Sequence, residues 1–121
     1  MSENTLADRF IEALMAGDEA TVRECYADDA VIWHNFDGTE QTVDDNVASL
    51  HWLRRIMDNM SYTEIRRTPI TGGVLQQHVL SGSIGGDAVA VPACVILKIE
   101  DDRIIRLEEY LDPTPITSRV G

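Results

Sequence analysis

The spacing of apolar residues changes once along this chain, and the change divides it in two. Up to Met60 the apolar positions recur mainly at helical intervals; from Tyr62 onward they alternate with polar ones. Leu6, Phe10, Ile11, Leu14 and Met15 predict a first helix, with Thr5 and Asp8 as a capping box and Gly17 at its end. Asp18 can cap a short second helix that turns Val22, Cys25 and Tyr26 inward. Asp28-Asp29-Ala30 leads into the β-prone run Val31-Ile32-Trp33-His34-Asn35-Phe36, which Asp37-Gly38 ends with a turn signal. Thr42 and Asp45 repeat the cap pattern before a long third helix over about residues 43–60, with Val47, Leu50, Leu53, Ile56, Met57 and Met60 as its apolar positions.

Four strands follow, over about residues 62–68, 74–84, 88–99 and 103–111. Gly72-Gly73, Gly85-Gly86-Asp87 and Asp101-Asp102 separate them, which predicts an antiparallel meander. The long helix needs a surface to cover, and a curved sheet supplies it. Pro92 marks a bulge or an unpaired edge position. The tail after Pro113 has no periodic pattern. In the last strand, alternation sets Ile105, Leu107, Glu109 and Leu111 on one face. That face is apolar except for Glu109, and a carboxylate among aliphatic neighbours is costly without a partner or a task.

Composition narrows the function classes. The chain has 121 residues, read as one domain over residues 1–121, and a net charge of −11. That charge argues against nucleic acid and anionic membrane surfaces as partners. No apolar run is long enough to span a bilayer, and the first four residues lack a basic, apolar signal region. Cys25 and Cys94 have neither metal nor redox spacing and suit a reducing cytoplasm. No His-x-x-x-His or Asp-rich loop offers a metal site, and no cofactor is expected. Val89, Val91, Val95 and Leu97 lie opposite Pro92, Cys94 and Ile96, so this strand is apolar on both faces. Helices can cover one face and a second subunit the other, which predicts a homodimer.

The order of elements, with the segments 9–18, 26–30 and 103–112, resembles the nuclear transport factor 2-like superfamily, in particular its SnoaL-like and ketosteroid-isomerase-like branch. The resemblance implies an α+β, cone-shaped fold with three N-terminal helices packed on a curved antiparallel sheet that encloses an apolar pocket. It does not fix the function, because this fold hosts isomerases, dehydratases, cyclases, epoxide hydrolases and non-catalytic domains. Compared with ketosteroid isomerases, Phe10 stands where a tyrosine holds the oxyanion, His34 where an aspartate is the base, and Cys94 where an acid is the second donor. Neither Phe10 nor Cys94 donates a strong hydrogen bond, so steroid isomerisation is not expected. Compared with limonene-epoxide hydrolase, His78-Val79-Leu80 replaces an Arg-x-Asp pair, Glu109 matches the acid of the last strand, and Trp33 and Asn35 match the water-holding residues.

These two comparisons choose opposite faces of one strand, His34 on one and Trp33 and Asn35 on the other; a bulge would reconcile them. His78 shares a face with Val74, Gln76 and Leu80, and His51 falls on the outer side of its helix. Trp52, Met57 and Met60 read as core. The expected catalytic set is His34, His78 and Glu109, with a histidine as base and Glu109 as paired acid or water-orienting group. The expected ligand contacts are Phe10, Trp33, Asn35, Leu80 and Cys94. The implied activity is cofactor-free proton transfer on a small hydrophobic, cyclic molecule. The competing reading is a non-catalytic ligand-binding or dimerisation module.

Overall fold

A computed structural model describes residues 3–120 of the chain. The elements run α1 (Glu3–Ala16), α2 (Glu19–Cys25), β1 (Tyr26–His34), β2 (Glu40–Gln41), α3 (Val43–Ile56), β3 (Asp58–Ile70), β4 (Gly73–Ile84), β5 (Asp87–Glu100), β6 (Arg103–Leu111) and α4 (Thr114–Val120). The strands form one curved, open sheet in the order β2-β1-β6-β5-β4-β3. The meander β3 to β6 is antiparallel as expected, but β1 lies parallel to β6, so the sheet is mixed.

Local chemistry explains the helix ends. Gly17 has φ of 70°, and the amides of Gly17 and Asp18 bond back to Leu14 O and Ala13 O, closing α1. A side chain at Gly17 would also strike the Arg54 guanidinium, which donates to the carbonyls of Leu14 and Met15. Asp18 caps α2 by accepting from the Thr21 amide at 3.1 Å, and Thr42 with Asp45 forms the expected capping box on α3. Thr5 does not cap α1, because the helix already includes Glu3 and Asn4. Instead, Asp8 bonds Arg67 of β3. α3 ends at Ile56, short of the predicted residue 60. Met57 turns extended and inserts into the core, Asn59 has φ of 54°, and β3 begins at Asp58. The tail, read as patternless, forms α4; Asp112 accepts from the Thr114 amide and hydroxyl just before it, and Ile116 is buried.

The core lies between the helices and the concave face of the sheet. Leu6, Phe10 and Leu14 of α1, with Val22 and Cys25 of α2, meet Ile32, Val74, Val95, Leu97, Ile104 and Leu107 of the sheet. Phe10 packs edge-on against Tyr26, ring centroids 5.2 Å apart. A second cluster, Met57, Leu80, Ile84, Val89, Val91 and Ile116, closes the other end beneath α4. Val89, Val91, Val95 and Leu97 therefore face the helices, while Pro92 and Cys94 face outward.

Strict alternation fails at one place in β6. The β5–β6 register shifts between Lys98 and Ile99, whose partners are Arg106 and Ile104. The shift turns Ile104, fully buried, into the core and leaves Ile105 only partly covered. Beyond it the predicted face of Leu107, Glu109 and Leu111 holds. Ile104→Ala should cost about 2–5 kcal/mol and Ile105→Ala less than about 1.5 kcal/mol, measured by urea denaturation. Equal losses would contradict this placement of the bulge.

Candidate active site

The parallel pairing of β1 with β6 sets His34 directly beside Glu109. His34 Nε2 lies 3.1 Å from Glu109 Oε1, and both side chains are largely withdrawn from solvent. The isolated carboxylate of the sequence thus has an imidazole partner. The pair stands where two chambers meet. The inner chamber, about 50 Å3, is walled by Phe10, Ile11, Leu14, Val95, Leu97 and Leu107, with Tyr26, Gln76 and His78 as polar lining. The outer chamber, about 350 Å3, is walled by Leu53, Leu80, Leu111, Pro113 and Ile116, with Gln41 and Ser49 among its polar residues. His34, Asn46, Leu50, Tyr62 and Glu109 line both.

Behind the inner chamber a hydrogen-bond chain determines which nitrogen of His78 carries the proton. Arg67 bonds Asp8 and donates from Nε to Gln76 Oε1 at 2.8 Å. Arginine only donates, so the amide oxygen of Gln76 must face it and the amide nitrogen must face the other way. That nitrogen lies 2.9 Å from His78 Nδ1, which accepts. A neutral His78 is therefore protonated on Nε2, and this buried N–H has no hydrogen-bond partner. Burial pushes the His78 pKa below its ordinary value; the Glu109 charge opposes that shift and the Arg67 charge adds to it. The Tyr62 ring lies against His78, centroids 4.7 Å apart. Burial and the Glu109 charge raise the pKa values of Tyr26 and Tyr62, so both phenols keep their protons. Tyr26 donates to Asn46 Oδ1 at 2.9 Å. Among the described residues, no three His, Cys, Asp or Glu side chains converge as metal ligands. No helix among them is long and apolar enough to cross a membrane.

A family model for the SnoaL-like domain matches residues 7–107. The chain belongs to the SnoaL-like domain family. IdmH of Streptomyces antibioticus, a candidate polyketide cyclase, superposes with a TM-score of 0.87 at 18% identity, covering 100% of this chain and 99% of that one. A protein of Catenulispora acidiphila with a ketosteroid isomerase-like fold gives 0.81 at 15%, covering 94% and 90%. An LEH-like epoxide hydrolase of M. tuberculosis gives 0.72 at 20%, covering 94% and 85%. These structures share the fold. No curated protein matches the sequence.

On this SnoaL-like scaffold, His34 and Glu109 line both chambers, Phe10 and His78 the inner one and Leu80 the outer one, while Trp33, Asn35 and Cys94 line neither. Trp33 stands on the outer face against Tyr110, centroids 5.3 Å apart. The Asn35 side chain instead continues the β1–β6 pairing by accepting from the Leu111 amide at 2.9 Å. Cys94 pairs with Gln77 and Tyr110 in neighbouring strands and lines a groove on the outer face. His51 is exposed and paired with Glu19. Trp52, expected in the core, is 46% exposed at the rim of the outer chamber. Sequence reasoning missed Tyr26, Gln41, Asn46, Tyr62 and Arg67. Gln76 had a signal: it alternates with His78 on an otherwise apolar strand face.

His78 gives the domain a specific pH dependence. With its folded pKa below the unfolded value of 6.5, the unfolded chain binds more protons in that window. The stabilising difference is complete above 6.5 and is lost as pH falls through the window. His78→Leu should therefore lose less stability than the wild type between about pH 8 and pH 5 in chemical denaturation. Parallel losses would remove the buried neutral histidine.

Proposed function

We propose that the domain is a cofactor-free acid–base enzyme that forms and stabilises an enolate on a small hydrophobic, cyclic carbonyl compound. The single observation behind this reading is the buried, unpartnered Nε2–H of His78, a residue that lines the same chamber as the His34–Glu109 pair. In the proposed step, the Glu109 carboxylate takes a proton from the carbon next to the carbonyl. The C–H electron pair moves into the new carbon–carbon double bond, and the carbonyl π pair moves onto oxygen. His78 Nε2–H donates to that oxygen, so His78 acts as the oxyanion donor and not as the base named by the sequence. His34 donates Nε2–H to Glu109 and orients it. The enolate can then be reprotonated at another carbon, expel a β-hydroxyl or attack a second carbonyl: isomerisation, dehydration or ring closure.

Exchange of the α-hydrogens of β-tetralone in D2O, followed by NMR, tests the proton transfer directly. Wild type should exceed the buffer rate. Glu109→Gln should abolish the excess, and His78→Phe should reduce it by about 100-fold. No acceleration with β-tetralone or related cyclic ketones, with the fold intact, would favour the non-catalytic binding module.

We also propose a homodimer through the outer face of the sheet, with the domain in the cytoplasm, where its two free thiols would stay reduced. Pro92, Cys94, Val79 and exposed Ile65 and Tyr110 line a groove there of about 630 Å3. Light scattering at micromolar concentration should return twice the chain mass; a monomer mass would end this assignment.

A further inference from the structure

Two buried side-chain atoms among the described residues lack a hydrogen-bond partner, His78 Nε2 and Gln41 Oε1. The first belongs to the inner chamber and the second to a residue lining the outer one. A buried polar atom without a partner is costly, so each marks a place that a ligand can complete.

The orientation of the Gln41 amide follows from its neighbours. Ser49 donates its only hydroxyl hydrogen to Asp45 O at 3.1 Å. Its oxygen can then only accept, and it does so from Gln41 Nε2 at 3.3 Å. The amide nitrogen is thereby turned to Ser49, and the unpartnered atom of Gln41 is the oxygen, which accepts and cannot donate. Gln41 itself is placed by β2, where it pairs with Ile32 on β1, one step from His34 on the same strand face. The residues lining the two chambers therefore carry two opposite polar demands among largely apolar walls: a buried donor without an acceptor on His78, at the inner chamber, and a buried acceptor without a donor on Gln41, at the outer one.

We infer that Gln41 determines specificity by accepting a hydrogen bond from a ligand hydroxyl. The ligand class is then a hydrophobic, cyclic molecule with a carbonyl at one end and a hydroxyl directed to Gln41. The carbonyl end rests on the enolate reading above; the hydroxyl end stands on Gln41 and Ser49 alone. A ligand lacking the hydroxyl leaves Gln41 Oε1 buried and unpaired, which is the arrangement by which polar sites reject deoxy analogues.

Three probes separate the two ends: acetylnaphthalene; acetylnaphthol, with its hydroxyl on the ring remote from the ketone; and naphthol, which has no ketone. Their affinities for the full chain are measured by calorimetric titration. Acetylnaphthol should bind about 10-fold or more tightly than acetylnaphthalene. Gln41→Met should erase that preference and leave the fold intact by thermal melting. Ser49→Ala, which frees the amide to turn, should weaken the preference without touching the ligand contact itself. Equal affinity of the two ketones for wild type, no binding of either, or a preference unchanged in both variants would overturn the inference. A loss confined to the comparison of acetylnaphthol with naphthol would instead count against His78 as the carbonyl donor and leave the Gln41 assignment standing.

Discussion

The parallel register between β1 and β6 is the constraint on which the site depends. These strands lie far apart in sequence, and their pairing sets Ile32 beside Leu107 and His34 beside Glu109. The first pair belongs to the core, so a slip of one residue would carry Ile32 out of it and turn His34 to the solvent face. The cost of exposing that isoleucine, about 1.5–3 kcal/mol, thus also fixes the distance between imidazole and carboxylate. Asn35 adds to the pairing just past the strand end, bonding the β6 backbone through its amide and its side chain. It holds the site's frame from outside the cavity.

A second set of contacts works through polarity. Among the described residues the buried polar ones are Asn46, Gln76 and His78, and all three line the inner chamber. Each has an assigned partner, from Tyr26, Arg67 or one another. Arg67, held to Asp8, orients Gln76, and Gln76 in turn decides which His78 nitrogen keeps its proton. A satisfied network of this kind holds a side chain more rigidly than apolar packing alone. The atom left unsatisfied, His78 Nε2, is buried on a residue that lines the inner chamber, as expected where a local rule is broken for function.

Much of this fold was legible in the sequence. Thr42 with Asp45, Gly17 and Asp18 act through a few neighbouring residues, so the α3 cap, the end of α1 and the start of α2 could be read directly. The meander was legible because its turns are short and its alternation holds over most of its length. What failed was longer-ranged. The bulge at Ile105 depends on the partner strand, so alternation alone assigned that residue to the core. The face of β1 stayed open until its pairing with β6 was known, because His34, Trp33 and Asn35 are all plausible chemistry on a short strand. Cys94 followed a position in a related family, while the strand pairing turned it outward. Tyr26, Tyr62 and Arg67 carried no signal, because tyrosine in a core and arginine on a strand are ordinary until their partners are seen.

The choice of polar groups also bears on whether the cavity catalyses a reaction or only binds. A pocket built to hold an apolar molecule gains nothing from a carboxylate–imidazole pair. Removing a charged group from water is expensive, and an amide or hydroxyl would supply hydrogen bonds at a smaller desolvation cost. The expense is greater in a chain whose net charge is already −11, where each further partly buried negative charge meets a repulsive field. This chain has amides available and uses them, Asn46, Gln76 and Gln41, wherever a neutral contact suffices. At the junction of the chambers it places Glu109 and His34 instead, in a lining shared with a histidine held in its donor form. That is the distribution expected when one group must accept a proton and another must meet the charge this creates.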